Sequence, residues 1–147
     1  MRIREALLGV DRLFLDTAPV IYLVEQNPQF FDEVRAVFEA VDRAQIRVVA
    51  SPVTLAECLV GAYRANQMQV ATNFTQYLTQ KDTDFVQTTA AIADRAAQLR
   101  SQYNLQMTDA LQVATSIEAK CDAFLTNDVQ LQRVTGIRVL IVGDLQI

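Results

Sequence analysis

Short apolar runs alternate with longer helical periods along the chain, and this alternation most constrains the fold. Five runs of four or five residues read as strands: Arg12–Asp16, Arg47–Ser51, Asp84–Gln87, Ala123–Thr126 and Arg138–Val142. They are rich in β-branched or aromatic residues and show little polar alternation, as strands buried on both faces of a parallel sheet do. Helical stretches stand between them. Asn27-Pro28 opens one, with a cap residue, a first-turn proline, and Asp32 and Glu33 near the positive end of the helix dipole. Val34, Val37, Phe38 and Val41 follow at i, i+3, i+4, i+7. Ser51-Pro52 opens a second helix in the same way. After Thr108 as a cap, Ala110, Val113, Ala114 and Ile117 repeat the period. Two helices between most strands imply right-handed crossovers and a doubly wound α/β sheet covered on both faces.

Composition then removes whole classes of chemistry. The 147 residues correspond to one domain spanning 1–147, with residues 1–11 as an N-terminal extension before the first strand. Within that extension Ile3 to Leu8 is expected to form a short helix or part of a dimer surface. The chain has no histidine, which excludes serine–histidine and cysteine–histidine nucleophiles and HExxH zinc sites. Its four glycines, at positions 9, 61, 136 and 143, form neither a dinucleotide-binding GxGxxG nor a P-loop. Cys58 and Cys121 lie far apart in apolar runs and read as reduced core residues. The apolar stretch Ala6–Val10 is too short for a signal peptide, and no run reaches membrane-spanning length. The expectation is a cytoplasmic protein without membrane contact.

In a doubly wound sheet, ligands bind beyond the carboxyl ends of the strands, where the strand order reverses. Asp16 ends the first run and Asp128 follows the fourth. Taken singly, capping of the next helix accounts for each. Asp109 follows Thr108 at the start of a helix, where an anion is favourable for the dipole alone. Glu57 is harder to explain structurally. Its helical neighbours are Val53, Thr54, Val60 and Gly61, so it is expected on a largely apolar face, where an unpaired carboxylate is costly. A functional role ranks above a helix-edge residue reaching water.

The set says more than its members. Asp16, Glu57, Asp109 and Asp128 come from four separate segments that a parallel sheet can bring to one rim. Four clustered carboxylates repel one another and either protonate or demand a cation. With oxygen ligands alone the cation is hard, Mg²⁺ or Mn²⁺. The matching chemistry is metal-assisted hydrolysis of a phosphodiester. The chain's formal charge is −4, so the remainder of the protein is neutral and free to present arginine to a polyanion.

These segments also resemble a known family. Phe14-Leu15-Asp16-Thr17-Ala18-Pro19-Val20-Ile21-Tyr22 is similar to the opening of PIN-domain proteins of the VapC toxin type. Ser51-Pro52-Val53-Thr54-Leu55-Ala56-Glu57 resembles the second motif, Thr108 to Thr115 the third, and Phe124-Leu125-Thr126-Asn127-Asp128 the fourth. The resemblance runs from about Leu13 to Asp144. It implies a three-layer α/β/α sandwich with a five-stranded parallel sheet in the order 3-2-1-4-5. It implies a Mg²⁺- or Mn²⁺-dependent endoribonuclease acting on RNA such as tRNA or rRNA, the toxin of a toxin–antitoxin pair, inhibited by its cognate antitoxin and commonly a homodimer. It assigns metal binding and catalysis to Asp16, Glu57, Asp109 and Asp128. Thr126 would orient a ligand or water, Thr17 would share that task, and Asn127 would contact phosphate or water. Without histidine, and with only Lys81 and Lys120 as lysines, the leaving-group acid has no assignment.

Two other readings compete. A phosphatase with an aspartyl phospho-acceptor at Asp16 wants a second aspartate where Ala18 stands, and a positioned lysine. A non-catalytic PIN-fold module would bind RNA or protein without cutting, but all four acids are present. Phe30, Phe31 and the Phe74–Tyr77 region are candidates for dimer contacts, although core packing is the commoner fate of such residues.

Overall fold

The computed structural model describes residues 1–147. Its sheet consists of β1 (Arg12–Leu15), β2 (Arg47–Ala50), β3 (Thr83–Phe85), β4 (Ala123–Thr126) and β5 (Arg138–Ile141). All pairings are parallel and the order is β3-β2-β1-β4-β5, as expected. The connections supply α2 (Thr17–Val24) and α3 (Phe31–Arg43), α4 (Pro52–Arg64) and α5 (Met68–Thr79), and α6 (Ala90–Tyr103) and α7 (Met107–Glu118). Short 3₁₀ turns, η1 (Val129–Arg133) and η2 (Val142–Asp144), flank β5. No helix is long and apolar enough to cross a membrane.

The two-residue period of the strands divides the core. Leu13, Leu15, Ala123 and Leu125 face one layer with α1 to α5, where α1 spans Ile3–Ala6. Phe14, Val49 and Phe124 face the other, against α6, α7 and η1. Phe14 and Phe124 are register partners on adjacent strands, and their rings stack with centroids 5.2 Å apart. Burial of both rings on the same face holds β1 to β4, the pair at which the strand order reverses.

Element ends depart from the sequence expectation in one consistent way. Asp16, Ser51 and Val142 leave their strands to begin the next turn or helix. Asp16 still donates its N–H to Leu125 O at 3.0 Å but has the extended backbone of a helix cap. The third strand starts one residue earlier than expected and stops at Phe85, where the chain turns towards the Thr89 cap of α6. Asn27-Pro28 does not start a helix. The Asn27 side chain instead accepts from Gln29 and Phe30 N–H at 2.9 and 3.0 Å, closing a turn, and α3 begins at Phe31. Ser51-Pro52 does start α4, with Ser51 Oγ accepting from Thr54 N–H at 3.3 Å. Gln106, not Thr108, caps α7, and Thr108 lies inside its first turn.

The N-terminal segment is folded into the same body. Ile3, Ala6, Leu7 and Val10 are buried, and Arg138 Nη1 donates to Ala6 O and Leu8 O. Helix α1 ends at Ala6, two residues short of expectation, because the chain turns at Gly9 in the left-handed region (φ 76°). The aromatic residues considered for dimer contacts have partners within the chain. Phe74 is buried, Tyr77 meets Phe38 edge-on, Phe30 stacks on Tyr22, and Arg35 lies over Phe31. Cys58 is buried as expected, while Cys121 is only half-buried.

A buried polar network ties three elements at the carboxyl end of the sheet. Gln112 of α7 is fully buried. Its amide nitrogen donates to Thr54 Oγ1, and its amide oxygen accepts from Ser51 Oγ. Thr54 Oγ1 in turn donates to Leu15 O at 3.2 Å. Replacing Gln112 with leucine leaves the Ser51 hydroxyl without its acceptor in a site closed to water. Gln112→Leu is therefore expected to lower unfolding free energy by about 1–3 kcal/mol, read from urea denaturation. An unchanged midpoint would show that the network is energetically idle.

Candidate functional site

The four acids arrive at one cleft by four local routes. Asp16 sits at the cap position of α2, immediately after β1. Asp128 caps η1 after β4, its Oδ1 accepting from Gln130 N–H at 3.0 Å. Asp109 lies in the first turn of α7. Glu57 stands in the second turn of α4. Together with Thr17, Ala18, Ile21, Tyr22, Thr126 and Asn127 they line an open cleft of about 450 Å³. It lies beyond the carboxyl ends of β1 and β4, where strand order reverses.

Burial differs sharply across the set. Asp16 is only 8% exposed, Asp109 is half-buried, and Glu57 and Asp128 are exposed. Glu57 thus does not lie on a buried apolar face. Its neighbour Val60 is itself 45% exposed, so the apolar residues around Glu57 do not bury it. Thr17 Oγ1 donates to Glu57 Oε1 at 2.9 Å and links α2 to α4 across the opening. Thr126 Oγ1 donates to Asp16 Oδ2 at 2.7 Å and accepts from Asp128 N–H at 3.1 Å, so one hydroxyl serves both acids. Asn127 is tied at both ends of its amide. Its Nδ2 donates to Tyr22 Oη at 3.1 Å and its Oδ1 accepts from Gly143 N–H at 2.9 Å. Each end thus has a protein partner, and one N–H of the amide is left over towards the cleft that Asn127 lines.

The electrostatics follow from crowding. Burial pushes the Asp16 carboxyl above its ordinary value, although the hydrogen bond from Thr126 opposes the shift. Asp109 is pushed up to about 6, first by burial and then by the charges of Asp16, Asp128 and Glu57. No lysine or arginine lines the cleft, so no protein cation offsets this repulsion. The arginine surface expected for a polyanion is therefore not part of the cleft wall. The oxygen-only donor set suits a hard cation. No three acids are gathered tightly enough to hold one, and two of the four, Glu57 and Asp128, are exposed.

Gln112, Tyr22 and Gly143 also support the site, through Thr54 and Asn127. Gln112 falls opposite the Ala110, Val113, Ala114, Ile117 stripe and so looks solvent-facing. It is buried because α7 packs against α4 and α6 as well as the sheet. Tyr22 and Gly143 carry no local signal, since each matters through contact with Asn127.

A five-stranded parallel sheet in this order, with an acidic cleft at its reversal point, defines an α/β protein of the carboxylate-site class. The family model of the PIN domain matches residues 13–137, and the chain belongs to that family. Similar solved structures include VapBC2 from Rickettsia felis bound to a DNA fragment from its promoter. That match has 16% identity and a TM-score of 0.73, covering 88% of this chain and 98% of the other. A toxin–antitoxin complex from Klebsiella pneumoniae matches at 22% identity with a TM-score of 0.67, covering 88% of this chain and 97% of the other. The sarcin–ricin-loop-cleaving toxin VapC20 from Mycobacterium tuberculosis matches at 13% identity with a TM-score of 0.64, covering 76% and 86%. These similarities show the fold. Comparison with curated protein sequences gives no match.

The raised acids set the pH dependence of the metal-free protein. Asp109 holds its proton more tightly folded than unfolded, so the folded state binds the extra proton between its ordinary value of 3.8 and about 6. Stability from this group therefore falls as pH rises through that window. In EDTA, Asp109→Asn is expected to melt above the wild type at pH 7.5, with the gap closing below about pH 4. Equal melting curves at pH 7.5 would remove the repulsion argument.

Proposed function

We propose that this protein is a divalent-metal-dependent endoribonuclease and the toxin component of a VapBC-type pair. The observation that carries the reading is a cleft lined by Asp16, Glu57, Asp109 and Asp128 with no cationic side chain. A polyanionic phosphodiester enters such a cleft only with a cation to meet its charge. Membership of the PIN family and the fold shared with VapBC structures and with an RNA-cleaving toxin support the same reading. The family context further suggests a single nuclease domain in the cytoplasm, a homodimer, a cognate antitoxin as partner and RNA such as tRNA or rRNA as substrate.

When bound, Mg²⁺ or Mn²⁺ supplies Lewis acidity towards the phosphodiester and its attacking water. Asp16, Asp109, Glu57 and Asp128 are the residues that would hold it. Asp16 is the fixed member, buried and oriented by the Thr126 hydroxyl. Asp109 enters from the α7 N-terminus. Glu57 and Asp128 are the adjustable members at the rim, and Thr17 aims Glu57 across the opening. Asp109, pushed up to about 6, would hold a bound cation only in its ionised form.

The alternative is a PIN-fold module that binds RNA or protein without cutting. In its favour, no three acids form a ready cluster. Metal titration separates the two. Mn²⁺ is expected to raise the melting temperature saturably in the wild type and not in Asp109→Asn. Purified protein free of antitoxin is expected to cut total RNA into discrete fragments with Mn²⁺ and not with EDTA. Asp16→Asn and Asp109→Asn should each reduce that cleavage by about 100-fold or more. Intact RNA together with no saturable Mn²⁺ effect would favour the non-catalytic module.

A further inference from the structure

We infer that Asn127 is a positioning residue that clamps the Asp128 loop between α2 and η2, and so sets the reach of Asp128 into the cleft. The inference rests on the metal-dependent reading of the cleft. Three segments distant in sequence meet at this one amide. The Tyr22 hydroxyl accepts from its nitrogen at 3.1 Å, and the Gly143 N–H donates to its oxygen at 2.9 Å. Tyr22 is in turn held by stacking on Phe30, with ring centroids 4.9 Å apart and planes 22° apart. Gly143 fits because it lacks a side chain. A Cβ there would stand 3.3 Å from Asn127 Oδ1 and 3.8 Å from Phe30 Cε1.

The residues on either side of Asn127 are the functional ones. Thr126 joins Asp16 to the Asp128 N–H, and Asp128 places one carboxylate oxygen on Gln130 N–H. That bond leaves the second oxygen for the cleft. Asp128 is exposed, so its own packing does little to hold it. Its backbone is held locally by Thr126 Oγ1 on its N–H and by Leu131 N–H on its carbonyl, and the Asn127 clamp ties that whole loop to α2 and η2. Outer partners of a metal site act in this way, and their removal weakens metal binding without removing a ligand.

The test uses the full-length, metal-free protein. Mn²⁺ binding is followed by electron paramagnetic resonance, RNA cleavage by gel, and melting temperature in EDTA. Tyr22→Phe and Asn127→Ala are each expected to weaken Mn²⁺ binding by about tenfold. Their double variant should be no weaker than the worse single, because both break one link. Gly143→Ala, which pushes on the clamp from outside the cleft, should shift affinity in the same direction. The EDTA melting temperature of Tyr22→Phe should stay near that of the wild type. Tyr22→Phe removes only the hydroxyl oxygen, so it carries the test if Asn127→Ala fails to fold.

Full Mn²⁺ affinity in the Tyr22 and Asn127 variants, with lowered melting temperatures, would overturn the inference and leave the contacts as turn-holding only. Additive losses in the double variant would also overturn it. A wild type that neither binds Mn²⁺ nor cuts RNA would overturn the nuclease reading and this inference together. Wild-type binding with unaffected variants would overturn the inference alone.

Discussion

The site is organised around one buried side-chain amide, that of Gln112, which also hydrogen-bonds the Asp16 carboxyl. Gln112 is buried between α7 and the start of α4, where its donor and acceptor must both be satisfied. Ser51 and Thr54 satisfy them, and Thr54 continues the chain to the last carbonyl of β1. The three elements joined by this network carry Asp109, Glu57 and Asp16. Apolar packing alone tolerates small slides between a helix and a sheet. A buried hydrogen-bond chain does not, because any slide leaves a polar group unpaired away from water. The fourth acid is drawn into the same frame through Thr126, which bridges Asp16 and the Asp128 N–H.

This rigid frame holds charges that repel one another. Three of the four acids lie at or near helix N-termini: Asp16 before α2, Asp109 in α7 and Asp128 before η1. Partial positive charge from those backbone N–H groups offsets part of the repulsion. It does not cancel it, since Asp109 is still pushed up to about 6. The fold therefore concentrates unbalanced negative charge at one opening. The cost of bringing these charges to one opening is met in folding, while the exposed Glu57 and Asp128 are not drawn into a tight cluster.

Much of this arrangement was legible from local patterns. The strand runs are legible because buried parallel strands have a distinctive composition, and Ser51-Pro52 because its capping chemistry acts within four residues. The resemblance of the motif segments to PIN-domain proteins supplied the sheet order. Errors arose where a local signal had two possible uses. Asn27 has the chemistry of a helix cap but closes a turn three residues too early. Thr108 has it too, yet α7 begins before it. Glu57 has apolar helical neighbours, but Val60 among them is itself exposed, so sequence neighbours misstate its burial.

By itself the sequence determined the alternation of strands and helices, the burial of the strands on both faces, and the position of each acid relative to a strand end or helix start. All of these depend on interactions spanning a few residues or on simple periodicity. Only the tertiary structure decided that Gln112 is buried, that Glu57 is exposed, and that Asn127 faces Tyr22 and Gly143. Those outcomes depend on contacts between residues 16 to 105 positions apart, such as Gly143 with Asn127 and Asn127 with Tyr22. No local pattern encodes which distant side chain will be waiting, because that is settled by how the helices pack across the sheet.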